Sequence, residues 1–310
     1  MPCFEAMLAV AMILDAILGE TRWLRFGAPH PIVLIGNVIS CLEERLNTGE
    51  QRRVKGVATL AALIFLGLAI SLPIAMWQHG WTLEILGAAI LIAQRSLVNH
   101  VRAVADGLRV SLDEGRRQVA MIVGRDPDSL DNTGVARAAI ESAAENFSDG
   151  VAAPIFWFAV AGLPGILIYK IVNTADSMIG HRTARYEQFG WASARLDDLL
   201  NLVPARLSGA MFALVGASPY ALRLMLRDAS MHRSPNAGWP ESAIAGLLGI
   251  AVAGPRRYGD QIVDDPYINA EGRRTCTPDD IDRAVSILWR AWSVTLMLAM
   301  LAHWMKWSLL

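Results

Sequence analysis

The sequence lacks the short motifs that mark the common nucleotide-binding and hydrolase sites. No Gly-Lys dipeptide occurs in its 310 residues, so there is no P-loop, and no Gly-x-Gly occurs, which excludes the dinucleotide fingerprint and the kinase glycine-rich loop. His-Glu-x-x-His and Gly-x-Ser-x-Gly, the signatures of zinc proteases and α/β-hydrolases, are missing as well. If the protein uses a nucleotide, it binds that nucleotide at a site of another kind.

Cysteine and lysine are scarce. The three cysteines lie far apart and form no Cys-x-x-Cys pair, so neither a disulfide framework nor a zinc site is indicated, and the protein fits a reducing, cytoplasm-facing environment. Only three of the 28 basic residues are lysines, and the arginines form no stripe of the kind that binds nucleic acid. We therefore expect no nucleic-acid partner.

Apolar stretches are what the sequence has in abundance. Hydrophobic residues make up 54% of the chain, and residues 57–77, 150–169, 207–222 and 291–305 carry no Asp, Glu, Lys or Arg. A helix needs roughly 20 apolar residues to cross a bilayer, and the first two stretches reach that length. The shorter stretch 6–18 lacks the marks of a signal peptide and predicts a retained first helix. The sequence predicts an all-α, polytopic integral membrane protein that forms one membrane-embedded domain over residues 1–310, the alternative being a soluble protein with apolar core helices.

Arginine-rich segments indicate which side of the membrane carries the polar parts. Three basic residues directly precede the span at 57–77, and seven arginines lie within 94–149. The positive-inside rule places both regions in the cytoplasm. We expect a multi-pass protein of a bacterial-type inner (cell) membrane with a cytoplasmic active side. The polar cytoplasmic segments are predicted at about 94–149, 170–206, 223–241 and 256–285.

The apolar stretch 150–169 conflicts with this topology if it crosses the membrane once, because the arginines that follow it would then be external. Its middle reads Gly-Leu-Pro-Gly at 162–165, which is a strong helix breaker. Irregular backbone at membrane depth is tolerated where protein covers it or where it lines a cavity. We therefore predict a broken or re-entrant hairpin here.

The first polar cluster occupies residues 131–150. Its alanine-rich part predicts a helix that residues 131–133 cap. Arg137, Glu141 and Glu145 follow at i, i+4 and i+8 on one face, and the alanines of the other face predict close packing. This face is either a solvated set of salt bridges or a site. Side chains whose oxygens can hold a hard cation such as Mg²⁺ are Glu141, Glu145, Asn146 and Asp149.

The second polar cluster, residues 169–182, directly follows an apolar stretch. Lys170, Asn173 and Asp176 share a helix face at i, i+3 and i+6. An ionisable residue at the end of a span is either an interfacial anchor or part of a site. The density of polar side chains behind Lys170 favours a site.

The third polar cluster is residues 195–206. Asp197 and Asp198 each lie about one turn from Asn201, and paired carboxylates beside an amide suit a Mg²⁺–phosphate site. Arg206 can bind a phosphate or carboxylate in a bidentate manner. The alternative is a helix start carrying acidic residues, with Arg206 as an anchor at the membrane edge. A fourth, weaker segment at 232–241 is a loop rich in Pro, Gly and Asn before a helix.

Taken together, these segments resemble the cobalamin-biosynthesis membrane proteins known as adenosylcobinamide-phosphate synthases. The stretches that carry the resemblance are LDAILGE, PHPIVLIG, NTGVARAAIESAAENFSDGVAAP, YKIVNTADSMIGHR, RLDDLLNLVPARL and SPNAGWPESAIAGLLG. They run in order from near the start of the sequence to about residue 255, and the region beyond matches weakly.

The resemblance implies an ATP-dependent acid–amine ligase. Such an enzyme joins adenosylcobyric acid, a corrinoid, to 1-amino-2-propanol or its O-phosphate, with ATP and Mg²⁺. It also implies the lipid bilayer as surroundings and other corrinoid-pathway membrane enzymes as candidate partners. The carboxylate must be activated before a neutral amine attacks it, and Mg²⁺ and cationic side chains offset phosphate charge in the transition state.

The resemblance assigns no residue roles, so these follow from side-chain chemistry. The candidate catalytic residues are Glu141, Glu145, Asp176 and Asp197. The candidate substrate- or phosphate-binding residues are Arg137, Asn146, Lys170, Asn173, Arg182, Asn201 and Arg206. The candidate metal ligands are Glu145, Asp149, Asp197 and Asp198.

Two other classes of protein stay open: a membrane phosphotransferase, and a transporter or signalling scaffold of related fold. A membrane phosphotransferase acting on CDP-alcohols carries Asp-Gly-x-x-Ala-Arg, whereas Asp149-Gly150 is followed here by Val-Ala-Ala-Pro. A transporter places polar residues inside its spans, whereas here they concentrate at span ends and in loops, which favours an enzyme. A non-catalytic signalling scaffold of related fold is the remaining alternative.

Overall fold

The computed structural model describes residues 3–19, 30–124, 127–258, 261–263 and 265–308, and most of them are helical. The helices are α1 (Phe4–Leu18), α2 (Pro31–Leu46), α3 (Arg52–Met76), α4 (Trp81–Leu91), α5 (Gln94–Val110), α6 (Leu112–Val119), α7 (Asn132–Phe147), α8 (Ala153–Ile179), α9 (Trp191–Leu200), α10 (Leu202–Val215), α11 (Pro219–Asp228), α12 (Gly238–Leu248) and α13 (Pro278–Ser308). A π-helical segment, Ser148–Ala152, joins α7 to α8, and a 3₁₀ turn, Ala229–Met231, follows α11.

Among the described residues, four helical stretches are long and apolar enough to cross a membrane. They are Arg52–Met76, Trp81–Val110, Asn132–Ile179 and Pro278–Ser308, and the count rises to five if the bent pair Trp191–Leu200 and Leu202–Val215 forms one span. The predicted all-α membrane protein is thereby confirmed. Which ends face the cytoplasm stays a prediction, as does the re-entrant path of residues 150–169.

Two short antiparallel strand pairs interrupt the helical fold in the described part of residues 252–268. Strand β1 (Val252–Ala253) pairs with β4 (Tyr267–Ile268), and β2 (Arg256–Tyr258) pairs with β3 (Gln261–Val263). β1 lies just before the polar segment expected at 256–285, and β2, β3 and β4 lie within its first part. The rest of that segment joins α13, whose first residue is Pro278.

The chain groups into two units that alternate along the sequence. Unit 1 comprises 1–93, 153–201 and 298–310, and unit 2 comprises 94–152 and 202–297. Each unit therefore contains segments that are distant in sequence. The expectation of a single membrane-embedded domain stays a prediction.

The core of unit 1 forms where α3 packs against α8. Leu60 and Leu63 of α3 lie with Val172 and Ala175 of α8 in one buried cluster. Small residues allow this close approach: a Cβ atom on Gly67 would lie 2.6 Å from the Cδ1 atom of Ile171. Glycine at helix contacts is typical of membrane helix pairs.

The core of unit 2 surrounds α7, whose alanines are buried as predicted. Ala136, Ala139 and Ala143 are inaccessible to solvent. The predicted cap at residues 131–133 is also confirmed, because the Gly134 N–H donates to Asp131 Oδ1 at 2.7 Å. This bond satisfies one of the free N–H groups at the start of α7.

Two predicted apolar segments contain breaks. In α8, Ala161 and Gly162 have non-helical backbone angles, so the break predicted at 162–165 is confirmed. The apolar stretch 207–222 is divided between two helices, because α10 ends at Val215 and α11 begins at Pro219. Ser218 accepts a hydrogen bond from Ala221 N at 3.1 Å and caps the new helix, with proline in its first turn.

Candidate functional site

The predicted site residues divide between the two units. Those of unit 1 are Lys170, Asn173, Asp176, Arg182, Asp197, Asp198 and Asn201. Those of unit 2 are Arg137, Glu141, Glu145, Asn146, Asp149 and Arg206. Asn173, Asp197 and Asn201 of the first set form a hydrogen-bonded network, which also includes Tyr169, a residue of the second cluster for which no role was predicted.

The network of unit 1 centres on the Asp197 carboxylate. Asn173 Nδ2 donates to Asp197 Oδ1 at 3.1 Å, and Asn201 Nδ2 donates to Asp197 Oδ2 at 3.0 Å. The hydroxyl of Tyr169, the additional residue, donates to Asn201 Oδ1 at 2.9 Å. Asp197, Asn201 and Tyr169 are all buried. Because Tyr169 occupies the Asn201 oxygen, the Asn201 amide is fixed with its NH₂ group toward Asp197.

Charged side chains surround this network. Lys170 is buried on α8 and interacts electrostatically with Asp197. Asp198, the next residue along α9, is partly exposed, lies 4.0 Å from Arg195 and interacts electrostatically with Arg182. A buried ammonium beside a fixed carboxylate, with more exposed charges next to it, can hold and orient a polar substrate group.

The end of α8 determines where Asp176 and the following loop lie. Gly180 N donates to the Asp176 carbonyl oxygen at 2.7 Å, which closes the last turn. A Cβ atom on residue 180 would lie 2.6 Å from the carbonyl oxygen of Asp176, a backbone atom that cannot rotate away, so glycine is favoured at this position. Asp176 is therefore held at the end of the helix that also carries Lys170 and Asn173.

The loop after α8, residues 181–190, is fastened to α2 by an ion pair. Arg185 Nε and Nη2 donate to the two carboxylate oxygens of Glu43 at 2.9 and 2.7 Å, and Asn47 Nδ2 donates to Glu43 Oε1 at 2.8 Å. The hydrogen bond from Arg185 lowers the pKa of Glu43, against the effect of burial, and Asn47 adds to the lowering. This ion pair fixes the loop that carries Arg182.

In unit 2, the first two members of the predicted face on α7 bind backbone groups. Glu141 is buried, and its Oε1 accepts a hydrogen bond from Ala253 N in β1 at 2.7 Å. Arg137 Nη2 donates to the carbonyl oxygen of Arg274 at 2.6 Å. These contacts hold the strand-containing segment against α7 and account for both side chains structurally. The catalytic role of Glu141 and the anion-binding role of Arg137 stay predictions.

The remaining α7 candidates lie toward its C-terminal end. Glu145 and Asn146 are exposed, and Asp149 in the π-helical segment is partly exposed. Asn146 Nδ2 donates to the carbonyl oxygen and to the Oγ atom of Ser142, both at 2.9 Å. The π-helical segment interrupts the regular helix immediately after these residues, and such segments are frequent at functional sites.

Side chains of the weaker fourth segment contact one another and Arg206. The Arg206 guanidinium lies 4.4 Å from the centre of the Trp239 ring, a cation–π contact. His232 Nδ1 accepts from Ser234 N at 3.0 Å, so the proton of a neutral ring is on Nε2, which lies 3.6 Å from Glu241 Oε1. This histidine–glutamate pair was not predicted, although its two residues are the first and last of the segment 232–241.

The carboxylates of Asp197 and Asp198 are of the type that Mg²⁺ binds. Mg²⁺ keeps several waters and is usually bound through one or two carboxylates plus substrate phosphates. The amides on Asp197 fix its orientation, as hydrogen-bonding partners outside a metal's ligands do. Within the part of the chain that the structure describes, no group of three or more His, Cys, Asp or Glu side chains is placed to hold a metal. The metal roles of Glu145, Asp149, Asp197 and Asp198 stay predictions.

Comparison with known proteins identifies the family. A model of the CobD/Cbib protein family matches residues 8–288. Cobalamin biosynthesis protein CobD of Sinorhizobium fredii is 52% identical over 301 residues, covering 92% of this chain and 92% of the relative. The protein of the same name from Rhodobacter capsulatus is 49% identical over 311 residues, covering 96% of this chain and 98% of the relative. No solved structure matches. The chain belongs to the CobD/Cbib protein family.

Proposed function

We propose that this protein is a cobalamin-biosynthesis ligase that joins adenosylcobyric acid to 1-amino-2-propanol or its O-phosphate, using ATP. Membership of the CobD/Cbib family and the names of its relatives support the pathway. The observation that carries the chemistry is the buried Asp197 carboxylate, oriented by two amides and beside Lys170. The apolar helices support action at a membrane, for which we propose the inner membrane with the site facing the cytoplasm.

In the proposed reaction, the corrinoid carboxylate attacks the γ-phosphorus of ATP, ADP leaves, and an acyl phosphate forms. The amine then attacks the carbonyl carbon, inorganic phosphate leaves, and the amine loses a proton to a base. Lys170 and Arg182 would bind the anionic groups, and Asp197 would accept the proton or hold the metal. Mg²⁺, held by Asp197 or Asp198, would offset negative charge on the phosphates when bound.

The Asp197→Asn variant tests this proposal cleanly because the structure shows how the fold can tolerate it. The Asn201 amide cannot turn without losing its bond from Tyr169, but the Asn173 amide can turn and present its oxygen to the new NH₂ group. Both contacts therefore survive and only the charge is lost. Turnover should fall by at least about 100-fold, the usual range for losing an acid–base group, whereas membrane insertion and the unfolding midpoint should change little.

The assay supplies adenosylcobyric acid, aminopropanol O-phosphate, ATP and Mg²⁺ to the purified protein in detergent and follows the corrinoid by mass. A product heavier by one amide-linked aminopropanol phosphate, formed only with ATP, supports the ligase. Asp113→Asn is the matched control, since the side chain of Asp113 is 86% exposed and lies in unit 2. Normal turnover of Asp197→Asn would remove Asp197 from the mechanism. Folded protein that binds no corrinoid would favour the scaffold alternative.

A further inference from the structure

Helix α4 carries a single charged residue, Glu84, in an otherwise apolar sequence. Its side chain is buried, with the residue 5% exposed. α4 belongs to one of the stretches long and apolar enough to cross a membrane. Ionisable residues in such stretches are costly and usually face a specific partner in the protein interior. The function proposed above makes no use of Glu84.

The partner of Glu84 is the break in α8. Leu163 N donates to Glu84 Oε2 at 3.1 Å. The non-helical angles at Ala161 and Gly162 end the first half of α8, so a second half-helix begins at Leu163 and continues to Ile179. The first N–H groups of a helix have no acceptor within that helix. Glu84 therefore caps the second half-helix with a side chain from another helix.

Glycines fit this junction closely. Gly162 has a φ of 59°, and a Cβ atom on it would lie 2.8 Å from Glu84 Oε2 and 2.8 Å from Cε1 of Phe4. A Cβ atom on Gly87, one turn after Glu84, would lie 2.7 Å from Cδ1 of Leu163. The start of the second half-helix is thus held against α4 with little room to move.

The same half-helix carries the candidate site of unit 1. Lys170 follows Leu163 by seven residues, which is about two turns or roughly 10 Å along the helix. Tyr169 and Asn173 belong to the same rigid segment and donate to the network around Asp197. A shift or rotation at Leu163 would be carried along the half-helix to all three side chains.

We propose that Glu84 is a positioning residue: by capping the half-helix that begins at Leu163, it sets where Tyr169, Lys170 and Asn173 stand relative to Asp197. Its effect on turnover rests on the proposed function. Its effect on the half-helix does not, and it can be measured separately.

The test compares Glu84→Leu and Glu84→Gln with a control, in protein reconstituted in lipid nanodiscs. Hydrogen–deuterium exchange is followed in residues 163–170 and, as a reference, in residues 57–70 of α3. Glu84→Leu removes the cap and should speed exchange about 5- to 30-fold in 163–170 only, the effect of losing a cap worth one to two kcal/mol. Glu84→Gln keeps an acceptor and should restore slow exchange. The control is Ser71→Ala, which changes a buried polar residue whose hydroxyl bonds within α3.

Turnover gives the second measurement. A misplaced site should lower kcat about 10- to 100-fold in Glu84→Leu, with recovery in Glu84→Gln. Unchanged exchange in 163–170 would overturn the proposal, and so would faster exchange spread equally over 57–70, which would mark a general structural role. If Glu84→Leu speeds exchange in 163–170 but the unmodified protein shows no ligase turnover, the capping role of Glu84 is supported and the proposed ligase reaction is rejected. If the unmodified protein is active and Glu84→Leu speeds exchange in 163–170 without lowering turnover, the positioning role of Glu84 is overturned.

Discussion

Gly56 provides the sharpest test of how α3 contacts the loop after α8. For Gly56→Ala, helix propensity predicts a gain in stability, whereas packing predicts a loss. Gly56 lies near the start of α3, where alanine is favoured over glycine by about 1 kcal/mol in a helix interior. A Cβ atom at this position would however lie 1.9 Å from the carbonyl oxygen of Phe189 and 2.8 Å from its carbonyl carbon. These are backbone atoms, so no side-chain rotation relieves the overlap.

The cost of the overlap outweighs the gain. Overpacking of a closely packed site costs about 1–3 kcal/mol, and the upper half of that range applies because Phe189 is buried in the core of unit 1. Subtracting about 1 kcal/mol for propensity leaves Gly56→Ala less stable by about 1–2 kcal/mol. For a protein of 310 residues the unfolding midpoint should fall by roughly 1.5–3 °C. Gly56→Ala should displace the loop at residues 181–190, which carries Arg182. Turnover should therefore fall by more than the loss of stability alone would cause.

The assay is thermal unfolding in detergent, followed by tryptophan fluorescence. Turnover of the proposed reaction is measured alongside it, at a temperature well below the unfolding midpoints of the variant and of the unmodified protein. Gly124→Ala is the matched control, since a Cβ atom there would have no heavy atom within 4 Å. A midpoint of Gly56→Ala that rises, as propensity alone predicts, with turnover unchanged, would refute the packing argument.

Three further predictions concern the buried carboxylates of Glu43, Asp228 and Glu141. The hydrogen bond from Arg185 lowers the pKa of Glu43 below the unfolded value of about 4.3. The ion pair therefore stabilises the fold above that value, and this stabilisation is lost as the pH falls through the folded pKa. In a titration of the unfolding midpoint against pH, Glu43→Gln should flatten this part of the curve. Asp228→Ala leaves the buried Asn269 N–H, which donates to Asp228 at 2.9 Å, without its acceptor and should cost about 1–3 kcal/mol of unfolding free energy, whereas Asp228→Asn should cost less in the same denaturation assay. Glu141→Gln keeps an acceptor for Ala253 N, so the protein level and midpoint should be retained; retained turnover as well would show that the predicted catalytic role of Glu141 is wrong.

Helix positions followed from the sequence where a local signal was strong. The uncharged run at 57–77 predicted the span of α3, the Asp131 cap predicted the start of α7, and the Gly-Leu-Pro-Gly run predicted the break in α8. Hydropathy alone did not show that the apolar stretch 207–222 is divided between α10 and α11. Ser218 and Pro219 form a helix-start signal that hydropathy does not register.

The residues of the site could largely be predicted from the sequence, but the contacts between the helices that carry them could not. Lys170 and Asn173 were grouped from helical spacing, and Asp197 with Asn201 likewise, but spacing within one helix says nothing about which helices meet. The bond from Asn173 to Asp197 joins residues 24 apart, and that from Ala253 to Glu141 joins residues 112 apart. No role was predicted for Tyr169, because a tyrosine at the end of an apolar run is typical of a residue at the membrane interface. Its hydrogen-bonding role depends on the tertiary contact with Asn201.

The first and last helices of unit 1 also constrain when the unit can be completed during synthesis. Cys3 Sγ and His303 Nδ1 lie 2.8 Å apart although 300 residues separate them, and Glu5 pairs with Lys306. At about 5–20 residues per second, a ribosome needs roughly 15–60 s to travel between the two ends of such a contact. During that time α1 is already made while the segment that carries His303 and Lys306 is not, so Cys3 and Glu5 are open to contacts with other groups. The order in which segments leave the ribosome therefore decides which contacts α1 can make first.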